Sequence, residues 1–147
     1  MAHSDKISEL VQTVRQLNWE VRPKISTTAG ANEAGSPLHT ALTELRNNEI
    51  RTSQLIRGMS LSETPVAGAD VGRVIEHVEA STIGSRQLLS EFATAREAIL
   101  SILRNLSDED WTAPQNTAEG EFTYEGVVDS LIESDRQRVG QILSTTA

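Results

Sequence analysis

Histidine and cysteine, the residues most often used as metal ligands and nucleophiles, are scarce in this chain. It has three histidines, His3, His39 and His77, and no cysteine. A metal site needs imidazole, thiolate or carboxylate ligands that converge on one point, and these histidines are far apart in sequence. We interpret His3 and His77 as incidental and place only His39 near a possible pocket. We expect no metal and no cofactor.

The acidic residues do not form a recognisable catalytic set either. Glu44, Glu49, Glu133 and Asp135 lie on two predicted helices, but the Glu-x-x-His pattern of di-metal bundles is absent. Solvated helix faces explain most of them, although Glu44 and Glu49 border the buried side of their helix. There is no Gly-x-Ser-x-Gly elbow, and no thiolate is available as a nucleophile. The catalytic residues, if there are any, stay unknown at this stage.

Two polar residues stand out in the last predicted helix, which spans Phe122 to Leu143. Ser134 and Arg138 interrupt its broad apolar face. They are four residues apart, about one helical turn, so both side chains should point towards whatever that face covers. An inward-pointing Ser and Arg need partners inside the protein.

The elements that would position these residues are helices. Apolar residues at helical spacing predict helices from about Asp5 to Val21, from Pro37 to about Met59, and from Ser85 through Leu106. Pro23 should end or kink the first helix, because proline lacks a backbone donor. Further predicted elements are a short helix capped by Asp70, a single turn from Ser107 into Trp111, and a last helix capped by Thr123. Residues 26–36 and 115–121 should be loops, and no alternating strand pattern occurs.

Composition bounds the class of protein. The chain has 147 residues, 37% hydrophobic and 3% aromatic, which predicts one all-α domain over residues 1–147 with an aliphatic core. The net charge of -8 opposes binding to nucleic acid and to anionic membranes. Neither a signal peptide nor a membrane span is visible, so we expect a soluble cytoplasmic protein.

The stretch Ile99 to Trp111 resembles the end of the third helix and the following turn of the DinB-like (DinB/YfiT) superfamily. The helices that begin at Ser36 and Phe122 fall where that superfamily places its second and fourth. The resemblance implies a four-helix bundle with long crossover connections, to which the predicted short helix is an addition. It also implies a homodimer and a pocket at one end of the bundle.

Metal-binding members of this superfamily hold a divalent cation on three histidines. Their second-helix motif, Leu-x-His-Leu-x-x-x-Glu, falls on residues 42–49, so the first ligand position is Glu44. Their His-x-x-x-His pair falls on Ser134 and Arg138. Arginine does not lose its proton to coordinate a metal, and serine is a poor ligand. The resemblance therefore implies a degenerate metal site.

The resemblance leaves two arrangements open for these three positions. In one, the Arg138 guanidinium takes the place of the cation inside the protein and pairs with Glu44, with Ser134 hydrogen-bonding nearby. In the other, Arg138 extends to solvent and Glu44 is exposed at the helix border, because long charged side chains often do this. Possible neighbours in the pocket are His39, Glu49 and Trp111.

Three functions are compatible with this sequence. We favour a metal-independent or non-catalytic small-molecule-binding protein whose pocket has Glu44, Ser134 and Arg138 at its floor. The first alternative is a thiol-dependent transferase or isomerase-type enzyme, which would need a divalent metal or a base that the sequence does not show. The second alternative is a structural or protein-interaction bundle without a pocket. Whether the chain is an enzyme stays open.

Overall fold

The structure, a computed structural model, describes residues 2–60, 79 and 82–146, and these are mostly helical. The helices are α1 (His3–Gln16), α2 (Arg22–Thr27), α3 (Pro37–Ser60), α4 (Ser85–Leu103), α5 (Asp108–Thr112) and α6 (Tyr124–Thr145). The prediction of an all-α chain is confirmed, with one small two-stranded exception. The predicted short helix after Asp70 lies outside the described residues.

The first helical region continues past Pro23 to Thr27, so Pro23 does not end it, and the predicted boundary at Val21 falls at the end of a π-helical turn. A wide π-helical turn, Leu17–Val21, joins α1 to α2, and the N–H of Arg22 bonds to the carbonyl of Leu17, five residues earlier. Pro23 then lies in the first turn of α2, where a missing N–H is tolerated. The π turn thus places Pro23 in a first turn, where proline is tolerated, and the helical path continues.

The segment between α5 and α6, predicted to be a loop, contains a small antiparallel hairpin. Strands β1 (Gln115–Thr117) and β2 (Gly120–Phe122) pair with Asn116 opposite Glu121. Strands of three residues are too short to show an alternating pattern, which is why the prediction missed them. The flanking caps are as predicted: Ser107 forms a capping box at α5, and Thr123 caps α6.

The four long helices, α1, α3, α4 and α6, form a ring in which each contacts two others. Helix α3 packs against α4 and α6, and α1 packs against α6 and α4. The apolar core between them is divided into two clusters. On each helix a buried polar residue lies in sequence between the members of the two clusters: Thr13 on α1, Glu49 on α3, Arg96 on α4 and Asp135 on α6. We call these four residues the polar layer. No described helix combines the length and the apolar character that crossing a bilayer requires.

Candidate functional site

Arg96 lies at the centre of the polar layer, with 0% of its surface exposed. Its Nε and Nη2 donate to the two oxygens of Glu49, the second bond at 2.8 Å. Its Nη1 and Nη2 donate to Oδ2 and Oδ1 of Asp135 at 2.9 and 2.8 Å, and Nη1 also donates to the carbonyl of Leu10 at 3.0 Å. A guanidinium has five N–H donors, so every donor of Arg96 has an acceptor. This one side chain ties four helices together.

Thr13 completes the polar layer from α1. Its hydroxyl donates to Oδ2 of Asp135 at 2.9 Å. The Asp135 carboxylate is therefore held by a fixed hydroxyl as well as by the forked guanidinium of Arg96. A carboxylate held in this way has little freedom to rotate.

The polar layer sets one positive charge against two carboxylates. Burial raises the pKa of Glu49 above its ordinary value, although its hydrogen bonds to Arg96 and the charge of Arg96 act in the opposite direction. Burial by itself lowers the pKa of Arg96, but the bonds and charges of Glu49 and Asp135 outweigh it and raise that pKa. Arg96 therefore stays cationic, while Glu49 takes up a proton more readily than an ordinary glutamate.

An open groove of about 580 Å³ lies between α1 and α6, directly beside this layer. Thr13 and Asp135 are buried residues that line it, so they form its floor. The other residues that line the groove come from the same two helices: Ser8, Glu9, Gln12, Gln16, Ile132, Arg136, Val139, Gly140 and Leu143. Its volume lies within the range of about 300–1,000 Å³ that is usual for small-molecule sites.

The three predicted site positions do come together, but on the surface. Arg138 Nε donates to Ser134 Oγ at 2.9 Å, and Arg138 Nη1 lies 3.7 Å from Glu44 Oε2. The side chains of Arg138 and Glu44 are 27% and 58% exposed, so a buried Arg138–Glu44 pair is wrong. The physical reason is helix rotation: successive residues turn by ~100°, and Asp135, not Ser134, lies on the buried stripe of α6.

The predicted neighbours have separate roles. His39 is buried at the start of α3, where Nδ1 accepts from the N–H of Gly35 at 3.2 Å and Nε2 donates to the carbonyl of Ile83 at 2.8 Å. Trp111 is buried and stacks on His3, with ring centroids 4.4 Å apart. Of the three neighbours, only Glu49 belongs to the polar layer. His77 lies outside the described residues.

Sequence reasoning missed Arg96 and Asp135. Arg96 falls on the buried stripe of α4, in helical register with Phe92 and Ile99. Asp135 likewise falls in helical register with Leu131 and Val139 of α6. The available signal is a charged residue at a core position of each of three helices, since such residues are rarely buried unless they are paired.

The described part of the chain holds no group of three or more His, Asp or Glu side chains arranged to bind a metal ion. Comparison with known proteins gives no relative: no protein family, no curated protein and no solved structure matches this chain.

Proposed function

We propose that this chain is a metal-independent, non-catalytic small-molecule-binding protein and that its ligand binds in the groove between α1 and α6. The observation that carries this proposal is the groove itself: it has the size of a small-molecule site, and its floor is a fixed, charged layer. Sites of this kind combine apolar walls with a few polar groups that fix the orientation of the ligand.

The rigidity of the floor supports this proposal. Asp135 receives two hydrogen bonds from Arg96 and one from Thr13, so its carboxylate is in place before a ligand arrives. Binding groups that are already ordered do not lose conformational entropy when the ligand binds. The polar layer thus supplies a preorganised acceptor at the bottom of an accessible groove.

We also propose that the architecture is a four-helix bundle of DinB/YfiT type with a degenerate metal site. Two observations support this assignment: α1, α3, α4 and α6 contact one another in a closed order, and the three positions implied by the resemblance are adjacent. At those positions, Glu44, Ser134 and Arg138 form a surface ion pair with a hydrogen-bonded serine. Light scattering on the purified protein tests the homodimer that the resemblance implies.

A thermal-shift screen of small molecules tests the groove, with a matched pair of variants as the control. Gly140 lines the groove and Gly58 does not, and a Cβ added at either glycine lies within 4 Å of no atom in the described part of the chain. Gly140→Leu should therefore fill the groove without straining the fold, and Gly58→Leu should leave the groove free.

We expect compounds that stabilise the wild type also to stabilise Gly58→Leu but not Gly140→Leu. A ligand at 100 times its Kd adds ~2.7 kcal/mol to the free energy of unfolding, which a melting curve detects. If the active compounds stabilise Gly140→Leu equally, the ligand binds elsewhere and the proposal fails. A stoichiometric divalent metal in untagged protein would instead favour the thiol-dependent transferase.

A further inference from the structure

We propose that the groove selects an organic cation, namely an amphiphilic amine whose ammonium group binds Asp135 and whose apolar part lies on α6. This inference rests on the proposed function and adds the chemical class of the ligand. It follows from the charge at the floor, the free acceptor capacity of Asp135 and the apolar wall of the groove.

The polar layer behind the floor of the groove has an unequal number of positive and negative groups. The polar layer contains Arg96 as its one cation and Glu49 and Asp135 as its two carboxylates, so it has one negative charge in excess when both are ionised. At the rim, Arg136 pairs with Glu9 at 3.2 Å, and this pair is neutral overall. The remaining polar residues along the groove are uncharged. When Glu49 is ionised, the groove therefore favours a cation over an anion.

Asp135 also has acceptor capacity to spare. A carboxylate has about four lone-pair positions. Within the described residues, Oδ2 of Asp135 accepts from Arg96 and Thr13, whereas Oδ1 accepts only from Arg96. One of the four positions on Asp135, a residue that lines the groove, is therefore unused among the described residues. An ammonium group supplies such a donor together with the missing positive charge.

One wall of the groove is apolar. Ile132, Val139 and Leu143 are apolar residues of α6 that line it. Opposite them, Gln12 and Gln16 of α1 offer amide groups. A ligand with a cationic end and an apolar body would cover this wall while its charge reaches the floor.

Protons compete with such a ligand. Among the described residues, the charged groups that act on Glu49 are Arg96 of α4 and Asp135 of α6. From α1, the neutral Leu10 carbonyl bonds to Arg96 and the neutral Thr13 hydroxyl bonds to Asp135. A proton on Glu49 cancels the excess charge that attracts the cation. Because burial raises the pKa of Glu49, we expect the affinity for an amine to increase as the pH rises.

Three probes with the same phenyl ring and a four-carbon chain test this inference: 4-phenylbutylamine, 4-phenylbutan-1-ol and 4-phenylbutanoate. Titration calorimetry or NMR titration gives the Kd of each for the wild type, Gly140→Leu and Gly58→Leu. A hydrogen bond to a charged group is worth roughly 1.5–3 kcal/mol, so the amine should bind at least ~10-fold more tightly than the alcohol. The carboxylate should bind most weakly, and Gly140→Leu should lose the amine.

The outcomes separate the two proposals. If the alcohol binds as tightly as the amine and Gly140→Leu abolishes both, the groove binds small molecules but the cation inference is overturned. If none of the three probes binds, the cation inference is also overturned, and the broader screen decides the proposed function. If Gly140→Leu converts a dimer to a monomer, a second copy of the chain occupies the groove, and the cation inference fails.

A substitution at the floor gives a further readout. Asp135→Asn removes the charge and keeps the shape, so the amine should lose its advantage over the alcohol if circular dichroism shows a folded variant. A folded Asp135→Asn that keeps the full preference overturns the inference. If the variant does not fold, the three probes on the wild type still decide.

Discussion

At the scale of the residue, Arg96 makes the contacts that join the most helices. Its guanidinium holds two carboxylates and a backbone carbonyl from three other helices in the interior. Arg96→Met should lower the free energy of unfolding by ~3–5 kcal/mol, because it leaves Glu49 and Asp135 buried without their counter-charge. Urea denaturation monitored by circular dichroism measures this loss.

A triple variant is the control for this prediction. The triple variant combines Arg96→Met with Glu49→Met and Asp135→Leu. It removes all three charges, so most of the lost stability should return. A loss below about 1 kcal/mol for Arg96→Met alone would contradict the role that we assign to the polar layer.

Glu49 makes the free energy of unfolding depend on pH, and the sign of this dependence can be predicted. Burial raises its pKa above the ordinary value of 4.5, so the folded protein keeps the proton to a higher pH than the unfolded chain does. This contribution to stability is complete below the unfolded pKa and is lost as the pH rises through the folded pKa. Glu49→Gln removes the titration.

We therefore expect the free energy of unfolding of the wild type, relative to Glu49→Gln, to decrease as the pH rises above about 4.5. Urea titrations of both proteins at several pH values measure the difference. An increase over this range would mean that the folded state lowers the pKa of Glu49, so that its bonds to Arg96 outweigh burial.

At the scale of the element, we expect replacement of glycine by alanine to have opposite effects on stability at Gly140 and at Gly84. Gly140 is inside α6 with open space at its Cα, so Gly140→Ala should stabilise the protein by ~0.5–1 kcal/mol through helix propensity. At Gly84, a Cβ would lie 2.7 Å from the backbone oxygen of Asn32. Gly84→Ala should therefore cost ~1–3 kcal/mol. Thermal unfolding of both variants checks the pair, and equal effects would contradict the packing described between residue 32 and the start of α4.

Element boundaries are largely predictable from the sequence, and the exceptions have local causes. Pro37 marks the start of α3, because the fixed φ of proline suits a first turn. Ser107 and Thr123 mark the starts of α5 and α6, because their side chains accept hydrogen bonds from backbone N–H groups of the first turn. The continuation past Pro23 depends on a π turn, whose shifted hydrogen bonds leave no signature in the apolar spacing.

At the scale of the whole molecule, the four residues of the polar layer lie at the same level in four different helices. Residues 13, 49, 96 and 135 are far apart in sequence, and only the packing order of the helices brings them to one level. Helical periodicity places Arg96 on a buried stripe, but it cannot show that two carboxylates meet it there. Sequence reasoning for this reason predicts the candidate site near Glu44 and Arg138, which lie at the surface.

The groove is a property of the same scale, because it exists only between two helices that are distant in sequence. Its walls come from α1 and α6, and its floor joins them through Thr13 and Asp135. Sequence patterns describe each helix separately and contain no information on the space left between them. The function of this protein is accordingly inferred from packing.

The most direct test of the central claim is a crystal structure of the protein with 4-phenylbutylamine. We predict density for the amine in the groove, with its nitrogen ~3 Å from a carboxylate oxygen of Asp135 and its phenyl ring against Val139 and Leu143. Density at Glu44 and Arg138 instead, or an amine in the groove with its nitrogen pointing away from Asp135, would contradict the claim that this groove selects a cation.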